Sequence, residues 1–200
     1  MTTFKIHNTL GNTKEEFIPI DENNIKIYAC GPTVYNYAHI GNARMAVVSD
    51  LLVRTLKHFF PKVTFVSNIT DIDDKIINAA LENKTPINEL TRKFENIYNK
   101  NMLELGVLKP DIQPRATEHI AEMIKLIEIL INNNNAYVKD NHVLFNVPSY
   151  PQYGQLSGRN KEDQIAGSRI KVEEYKNNAE DFILWKPSTN DQPGWDSPWG

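Results

Sequence analysis

Hydrophobic and polar positions divide the first third of the chain into a strand, a loop, a helix and a second strand. Residues 25–30 are short, β-branched and alternating, and Gly31-Pro32 stop the pattern, which predicts a strand that enters a sharp loop. From Gly41 to Pro61 apolar residues recur every three or four positions, the period of a helix with one buried face. That predicted face comprises Val48, Leu51, Leu52, Leu56 and Phe59. With a second strand predicted at 63–69, this order is typical of the βαβ unit of an open parallel sheet.

Helical periodicity continues downstream. Residues 70–83 begin with clustered acids, whose charges suit the N-terminus of a helix. A longer helix is predicted to about residue 105, with Thr85 as its cap and Pro86 in its first turn, and another at 117–132. The residues expected to be buried on these two helices are Ile87, Leu90, Phe94, Ile97, Leu105, Ile120, Ile124, Ile127 and Ile131.

The pattern changes after residue 132. Short strands are predicted at 136–138 and 143–147, about a turn, and residues 150–168 are rich in Pro, Gly, Ser and charge. This texture predicts a second, mixed α and β module. Two aromatic residues, Trp195 and Trp199, follow in a turn-rich tail. For these two and for Trp185, packing against the fold is favoured over stacking on RNA bases.

Composition narrows the classes of protein. The 200 residues are 40% hydrophobic with a net charge of −3, so no strongly basic surface announces a nucleic-acid binder, and any RNA contact would be local. No apolar run approaches the roughly 18 to 20 residues of a membrane span, and the polar N-terminus lacks a secretory signal. The single cysteine, Cys30, cannot form an internal disulfide. We therefore expect a cytoplasmic protein without a membrane partner.

Residues 30–44, CGPTVYNYAHIGNAR, join the first predicted strand to the first helix. Glycine there lets a nucleotide approach the backbone, and a helix N-terminus offers free N–H groups and a positive dipole. His39 and Asn42 can both donate hydrogen bonds to phosphate oxygens. Taken alone, a His-x-Gly sequence more often marks a surface histidine before a helix cap.

Two long motifs agree in order and spacing with one family. They are the segment from Tyr28 to Arg44 and the segment Ser-Asn-Ile-Thr-Asp-Ile-Asp-Asp-Lys-Ile-Ile at 67–77. Similarity continues through residues 110–120, 153–159, 181–186 and 197–200. Over nearly its whole length after residue 24, the chain resembles the cysteinyl-tRNA synthetases, a class I aminoacyl-tRNA synthetase family. The nearest alternative is a cysteine ligase of the mycothiol pathway, which shares the same catalytic core.

The resemblance implies a fold class and a division of the chain. It implies an α/β, Rossmann-like parallel-sheet nucleotide-binding fold of the HUP or class I synthetase type. Residues 1–111 would form the first half of that catalytic domain. Residues 112–200 would form an α+β connective-peptide insertion that ends at the return to the catalytic domain.

The resemblance also assigns candidate site residues. It makes His39 and Asn42 catalytic, and it places ATP at Thr33, His39, Gly41 and Asn42. Cys30, Gly31 and Thr70 would bind the cysteine substrate, and Cys30 would be the first of four zinc ligands. A buried thiol at Cys30, a loop-forming Gly31 and a helix N-cap at Thr70 are the plainer alternatives. A magnesium site at the acids Asp71, Asp73 and Asp74 is less favoured than simple complementarity to a helix dipole.

The implied function is cysteine-tRNA ligation. Cysteine and ATP, with Mg2+, would give cysteinyl-adenylate, and tRNA(Cys) would then accept the cysteine. We expect a monomer with one Zn2+ in the complete protein. The other zinc ligands and the family's Lys-Met-Ser-Lys-Ser loop are expected beyond residue 200, so these residues alone are expected to be inactive. A tRNA-independent ligase and a non-catalytic binding module remain as alternatives.

Overall fold

The computed structural model describes residues 4–158, 174–189 and 192–200. In chain order, the strands and helices are β1 (Lys5–Asn8), β2 (Thr13–Glu16), β3 (Ile25–Ala29), α1 (Ile40–Phe59), β4 (Val63–Ser67), α2 (Asp74–Asn83), α3 (Ile87–Glu104), α4 (Ile120–Asn132), β5 (Ala136–Lys139), β6 (His142–Phe145) and β7 (Phe182–Trp185). Single-turn 3-10 helices occupy Ala116–His119 and Val147–Ser149. No helix within the described ranges is both long and apolar enough to cross a membrane. The predicted α/β content is confirmed.

The chain divides into two compact units. One is Pro19–His119, and the other combines Met1–Ile18 with Ile120–Gly200. The predicted boundary at residues 111 and 112 stays a prediction, but two features bear on it. The first unit runs to His119, and within it Ile112 is bridged to Val66 of β4 and Arg115 to Ile69 just after β4.

A parallel sheet organises the first unit. β3 and β4 pair in parallel from Ile25 opposite Val63 to Ala29 opposite Ser67. Parallel neighbours need a crossover connection, which α1 supplies as predicted. On its other side Val66 of β4 is bridged in parallel to Ile112, and Ile69, two residues after β4, is bridged to Arg115, so β4 is central. Among the described residues β3 has no strand on its second edge.

Helix α1 buries a narrower face than its periodicity predicts. Ala46, Val53 and Leu56 are buried, but Val48, Leu51 and Phe59 are 58%, 64% and 44% exposed. The expectation that these three residues are buried is wrong, because apolar residues occupy more than one side of this helix. Only the side that carries Val53 and Leu56 is covered in this unit.

Helices α2 and α3 form the largest core cluster of this unit. Ile69, Ile76, Leu90 and Phe94 pack together with Val34 of the loop after β3. Each such side chain contributes roughly 1.5–3 kcal/mol through burial. The cluster therefore fixes the loop before α1 against two helices.

The predicted helix boundaries need three corrections. α2 begins at Asp74 and not at residue 70, because the Asp73 side chain caps it by accepting the Lys75 N–H at 2.9 Å. Pro86, not Thr85, is the N-cap residue of α3, which has no side-chain cap. α4 follows a 3-10 turn and so starts at Ile120. Leu105, predicted to be buried, is exposed after the end of α3.

The second unit contains two antiparallel sheets. β1 and β2 form a hairpin, which sequence patterning did not predict, and β5, β6 and β7 form a three-stranded sheet with β6 in the middle. Ile127, Ala136 and Val143 make its core, packed against Trp185 and Trp199. Trp199 thus packs in the fold as favoured. The predicted Pro-, Gly- and Ser-rich segment at 150–168 lies outside the described residues from position 159 onward.

A buried carboxylate stabilises this sheet. Asp181 is fully buried, and it accepts hydrogen bonds from the Val147 N–H at 3.0 Å, the Asn178 N–H at 2.9 Å and the Tyr137 hydroxyl at 2.8 Å. Burial, with the adjacent Asp181 carboxylate, raises the pKa of Tyr137 to about 12. Tyr137 is therefore a protonated donor at neutral pH.

Candidate functional site

A cleft of about 260 Å³ opens where β3 ends and α1 begins. It is lined by the loop from Gly31 to His39, by Asn42 of α1, and by Lys75, Phe94 and Tyr98. Carboxyl ends of parallel strands are the usual place for ligands in such sheets. The structure therefore brings together four of the predicted site residues, Gly31, Thr33, His39 and Asn42.

The remaining predicted site residues lie around the cleft and are not among the residues that line it. Cys30 directly follows β3 and its side chain is exposed, so it is not the buried thiol of the alternative interpretation. Gly41 lies in the first turn of α1. Thr70 follows β4 and forms a parallel bridge with Thr33. It does not cap a helix, because α2 starts four residues later.

His39 is the N-cap residue of α1. Its Nδ1 accepts the Gly41 N–H at 3.0 Å, and Asn42 Oδ1 accepts the His39 N–H at 3.1 Å, which completes a capping box. A β-carbon added at Gly41 would lie 2.8 Å from His39 Cε1, so a larger residue there would displace the His39 ring from this position. The structure therefore agrees with the plainer interpretation that His39 is an exposed histidine that caps a helix.

The same cap prepares both side chains to bind an anion. A neutral histidine that accepts at Nδ1 carries its proton on Nε2, so the Nε2–H of His39 remains a donor. Asn42 uses its oxygen in the cap and keeps its amide N–H2 as a donor. These two donors stand at the positive end of the α1 dipole.

Electrostatics around the cleft favour a negatively charged ligand. The lining residues that the structure describes include no carboxylate, and they include the cation Lys75, whose Nζ lies 5.7 Å from the centre of the Tyr35 ring. Burial raises the pKa of Tyr98, which keeps its hydroxyl protonated at neutral pH. A phosphate group would meet donors and positive charge here and no like charge.

Sequence reasoning gave no role to Asn68, which joins the two strand ends. Its Oδ1 accepts the Gly31 N–H and the Tyr28 hydroxyl, each at 2.9 Å, and its Nδ2 donates to Thr70 Oγ1 at 3.1 Å. The available signal was a polar residue directly after a buried strand. That signal could not name the partners, which lie up to 40 residues away in sequence.

The acids after β4 have structural roles. Asp71 is 3% exposed and pairs with Arg115 at 3.1 Å, and it also accepts the Thr117 N–H at 3.0 Å. Arg115 also pairs with Glu95. With Asp73 used as the cap of α2, these acids are engaged within the fold. The structure thus favours the helix-start interpretation for Asp73 and Asp74, whereas Asp71 lies outside the helix in a buried ion-pair cluster.

The metal prediction rests on one candidate ligand. The described part of the chain contains no group of three or more His, Cys, Asp or Glu side chains arranged to hold an ion. Cys30 nonetheless suits one position in a zinc site, because its thiol is exposed directly after the carboxyl end of β3 and is not in a disulfide. Further ligands would have to come from outside the described residues.

This chain is similar to one protein-family model and to curated proteins named as cysteine-tRNA ligases. Residues 16–200 match the family described as tRNA synthetases class I (C) catalytic domain. A cysteine-tRNA ligase of Parvibaculum lavamentivorans is 55% identical over 195 residues, which is 98% of this chain and 42% of that protein. The cysteine-tRNA ligases of Rhodospirillum rubrum and Ruegeria pomeroyi are each 52% identical, over 99% and 100% of this chain and 43% and 44% of those proteins.

The chain spans less than half the length of the curated relatives it matches. The match nevertheless covers both compact units and the cleft, and it confirms the resemblance found in the two long motifs. The chain belongs to the family of class I tRNA synthetases of the C type, whose catalytic domain it matches from residue 16 to residue 200.

Proposed function

We propose that this chain forms the ATP- and cysteine-binding part of a cysteine-tRNA ligase. The observation that carries the proposal is the cleft at the end of β3, where Gly31, Thr33, His39 and Asn42 meet at the N-terminus of α1. The relatives named as cysteine-tRNA ligases match the chain across this region. The proposed fold of the first unit is the first half of a Rossmann-like domain, supported by the parallel pairing of β3 and β4.

The proposed reaction begins with attack of the cysteine carboxylate on the α-phosphorus of ATP. Pyrophosphate leaves in line, and the resulting cysteinyl-adenylate then transfers its acyl group to a terminal hydroxyl of tRNA(Cys). The carboxylate is ionised near neutrality, so no general base is needed. The protein has to align the reactants and to stabilise charge on the phosphates.

His39 and Asn42 supply that stabilisation in the proposal. The capping box fixes both side chains, so their free N–H groups need no reorganisation when charge develops on the phosphate. The Thr33 hydroxyl adds a neutral donor, and the N-terminus of α1 adds the positive potential of the helix dipole. Gly41 allows the His39 ring to hold this position.

Zinc is the proposed resident metal, with Cys30 as one ligand. Zinc prefers a thiolate to a hydroxyl, so when bound it would distinguish cysteine from serine through the substrate's own side chain. Gly31 and Thr70, on either side of Asn68, would shape the pocket beside it. Mg2+ would accompany ATP. We further propose a cytoplasmic monomer.

The proposal is tested by cysteine-dependent exchange between pyrophosphate and ATP, measured on the gene product at its full encoded length. We expect His39→Asn to lower the rate about 100- to 1000-fold, because it removes the Nε2 donor. Asparagine is itself a good N-cap residue, so α1 should remain capped and the thermal midpoint should hardly change. Absence of exchange in the wild type, or full exchange in the variant, would refute the assignment.

The role of Cys30 has its own test. Cys30→Ala is expected to lower the bound zinc and to reduce the preference for cysteine over serine. Zinc content is measured by atomic absorption and preference by exchange with each amino acid. Unchanged zinc and unchanged preference would exclude Cys30 as a ligand.

A further inference from the structure

Asn68 connects the two loops that carry the proposed cysteine-binding residues. It stands directly after β4, and its side chain bonds both to Gly31, next to Cys30, and to Thr70. All of these bonds lie beyond the last paired residues of the sheet, Ala29 and Ser67. Backbone hydrogen bonds of the Thr33–Thr70 bridge join the two loops farther along the chain, and the Asn68 side chain adds a link to Gly31, next to Cys30.

The contact with Gly31 is made by backbone as well as side chain. A β-carbon added at Gly31 would lie 1.6 Å from the Asn68 carbonyl oxygen, far inside any real contact. The backbone of Gly31 consequently lies in direct contact with the backbone of Asn68. This close approach explains glycine at position 31 without a substrate, and it brings the Cys30 backbone into a fixed relation to the end of β4.

Asn68 can make this link because its amide has two ends. The oxygen has two acceptor sites, one for the Gly31 N–H and one for the Tyr28 hydroxyl, and the nitrogen donates to Thr70. Tyr28 is 63% exposed, so water can replace its bond. Gly31 and Asn68 are half-buried, so water replaces their bond less readily.

We propose that Asn68 is a positioning residue for the cysteine site: it sets the position of Cys30 relative to Thr70. This inference rests on the proposed function. Asn68 itself need not touch the substrate. Its loss should affect cysteine binding and the metal, while the nucleotide donors of the His39 cap, which Asn68 does not contact, should be unaffected.

The decisive experiment compares KM values for cysteine and for ATP in the exchange assay on the full-length gene product. We expect Asn68→Ala to raise the KM for cysteine at least tenfold, to leave the KM for ATP within about twofold, and to speed loss of zinc to a chelator. Asn68→Asp keeps the oxygen that accepts the Gly31 N–H and loses the donor to Thr70. Asn68→Asp should therefore raise the KM for cysteine less than Asn68→Ala does. It replaces the alanine variant in the test if that variant does not fold.

Two controls separate positioning from general destabilisation. Tyr28→Phe removes only the exposed bond to Asn68 and should leave both KM values unchanged. Asn99→Ala removes another half-buried asparagine, which bonds to Gln113 away from the cleft, and should lower stability without changing the ratio of the two KM values.

Each outcome has a distinct meaning. Suppose that the wild type catalyses cysteine-dependent exchange. If the Asn68 variants then change the KM values for cysteine and ATP equally, or change neither KM value, the inference about Asn68 is wrong and the proposed function stands. If the wild type shows no cysteine-dependent exchange, the proposed function fails and the inference fails with it. A selective rise in the KM for cysteine supports both.

Discussion

The buried ion-pair cluster around Arg115 makes a quantitative prediction about stability. The Arg115 side chain is 10% exposed and lies between the carboxylates of Asp71, 3% exposed, and Glu95, 18% exposed. Arg115→Met removes the cation and leaves two carboxylates near each other in a poorly hydrated site. Breaking a buried pair in this way costs about 3–5 kcal/mol.

Asp71→Asn should be milder. Arg115 keeps Glu95 as a partner, and the asparagine oxygen can still accept the Thr117 N–H. The loss is then mainly that of hydrogen bonds to a charged group, about 1.5–3 kcal/mol. The double variant should lose less than the sum of the single losses, because the two residues interact directly.

Urea unfolding followed by circular dichroism measures these differences. With an m-value of about 2 kcal/mol/M, Arg115→Met should lower the midpoint by about 1.5–2.5 M. Lys100→Met is the control, since Lys100 and Glu104 form an exposed pair at 3.8 Å whose loss should cost less than about 0.5 kcal/mol. Midpoints for Arg115→Met and Asp71→Asn that match the control, or strictly additive losses, would refute the reasoning.

Two further predictions concern single contacts. Gly31→Ala should destabilise the first unit by about 3 kcal/mol in urea unfolding, because its β-carbon would overlap the Asn68 backbone, which cannot move as a side chain can; a neutral result would contradict the close approach. Tyr137→Phe should cost about 1 kcal/mol at pH 7 through the lost bond to Asp181. Since the folded state raises the pKa of Tyr137 from 10.0 to about 12, the contribution of Tyr137 to the unfolding free energy should be fully present below pH 10 and should be lost as pH rises through 12. The phenylalanine variant should lack this part of the alkaline fall, and an identical pH profile for the two proteins would refute the assignment.

The local pattern of hydrophobic and polar residues predicts those strands and helices whose position depends mainly on neighbouring residues in the sequence. Alternating residues predicted β3, and the helical period with Pro61 predicted α1, as the structure shows; the second strand, predicted at 63–69, forms as β4 over Val63–Ser67. The β1–β2 hairpin was missed because its second strand, Thr13–Glu16, is fully exposed and has no apolar alternation. Residues 70–73 were assigned to α2 because their acids suit a helix start.

Long-range contacts decided what the pattern could not. Asp71 is held out of α2 by Arg115, which is 44 residues away in sequence. Asn68 likewise acquires its role only through Gly31, 37 residues before it. The motif identified the residues around the cleft, whereas the connections that hold those residues in place required the folded chain.

Within the part of the chain that the structure describes, the second edge of β3 carries no strand, and this determines where an added strand would end. A strand that joins this edge in parallel would end level with Ala29, beside Cys30, because parallel strands place their carboxyl ends together. The residues directly after such a strand would lie next to Cys30 and the cleft, so no long loop would be needed to bring their side chains there. In the proposed zinc site, a strand docked at this edge would bring further ligands to Cys30, so that completion of the sheet and binding of zinc would be coupled.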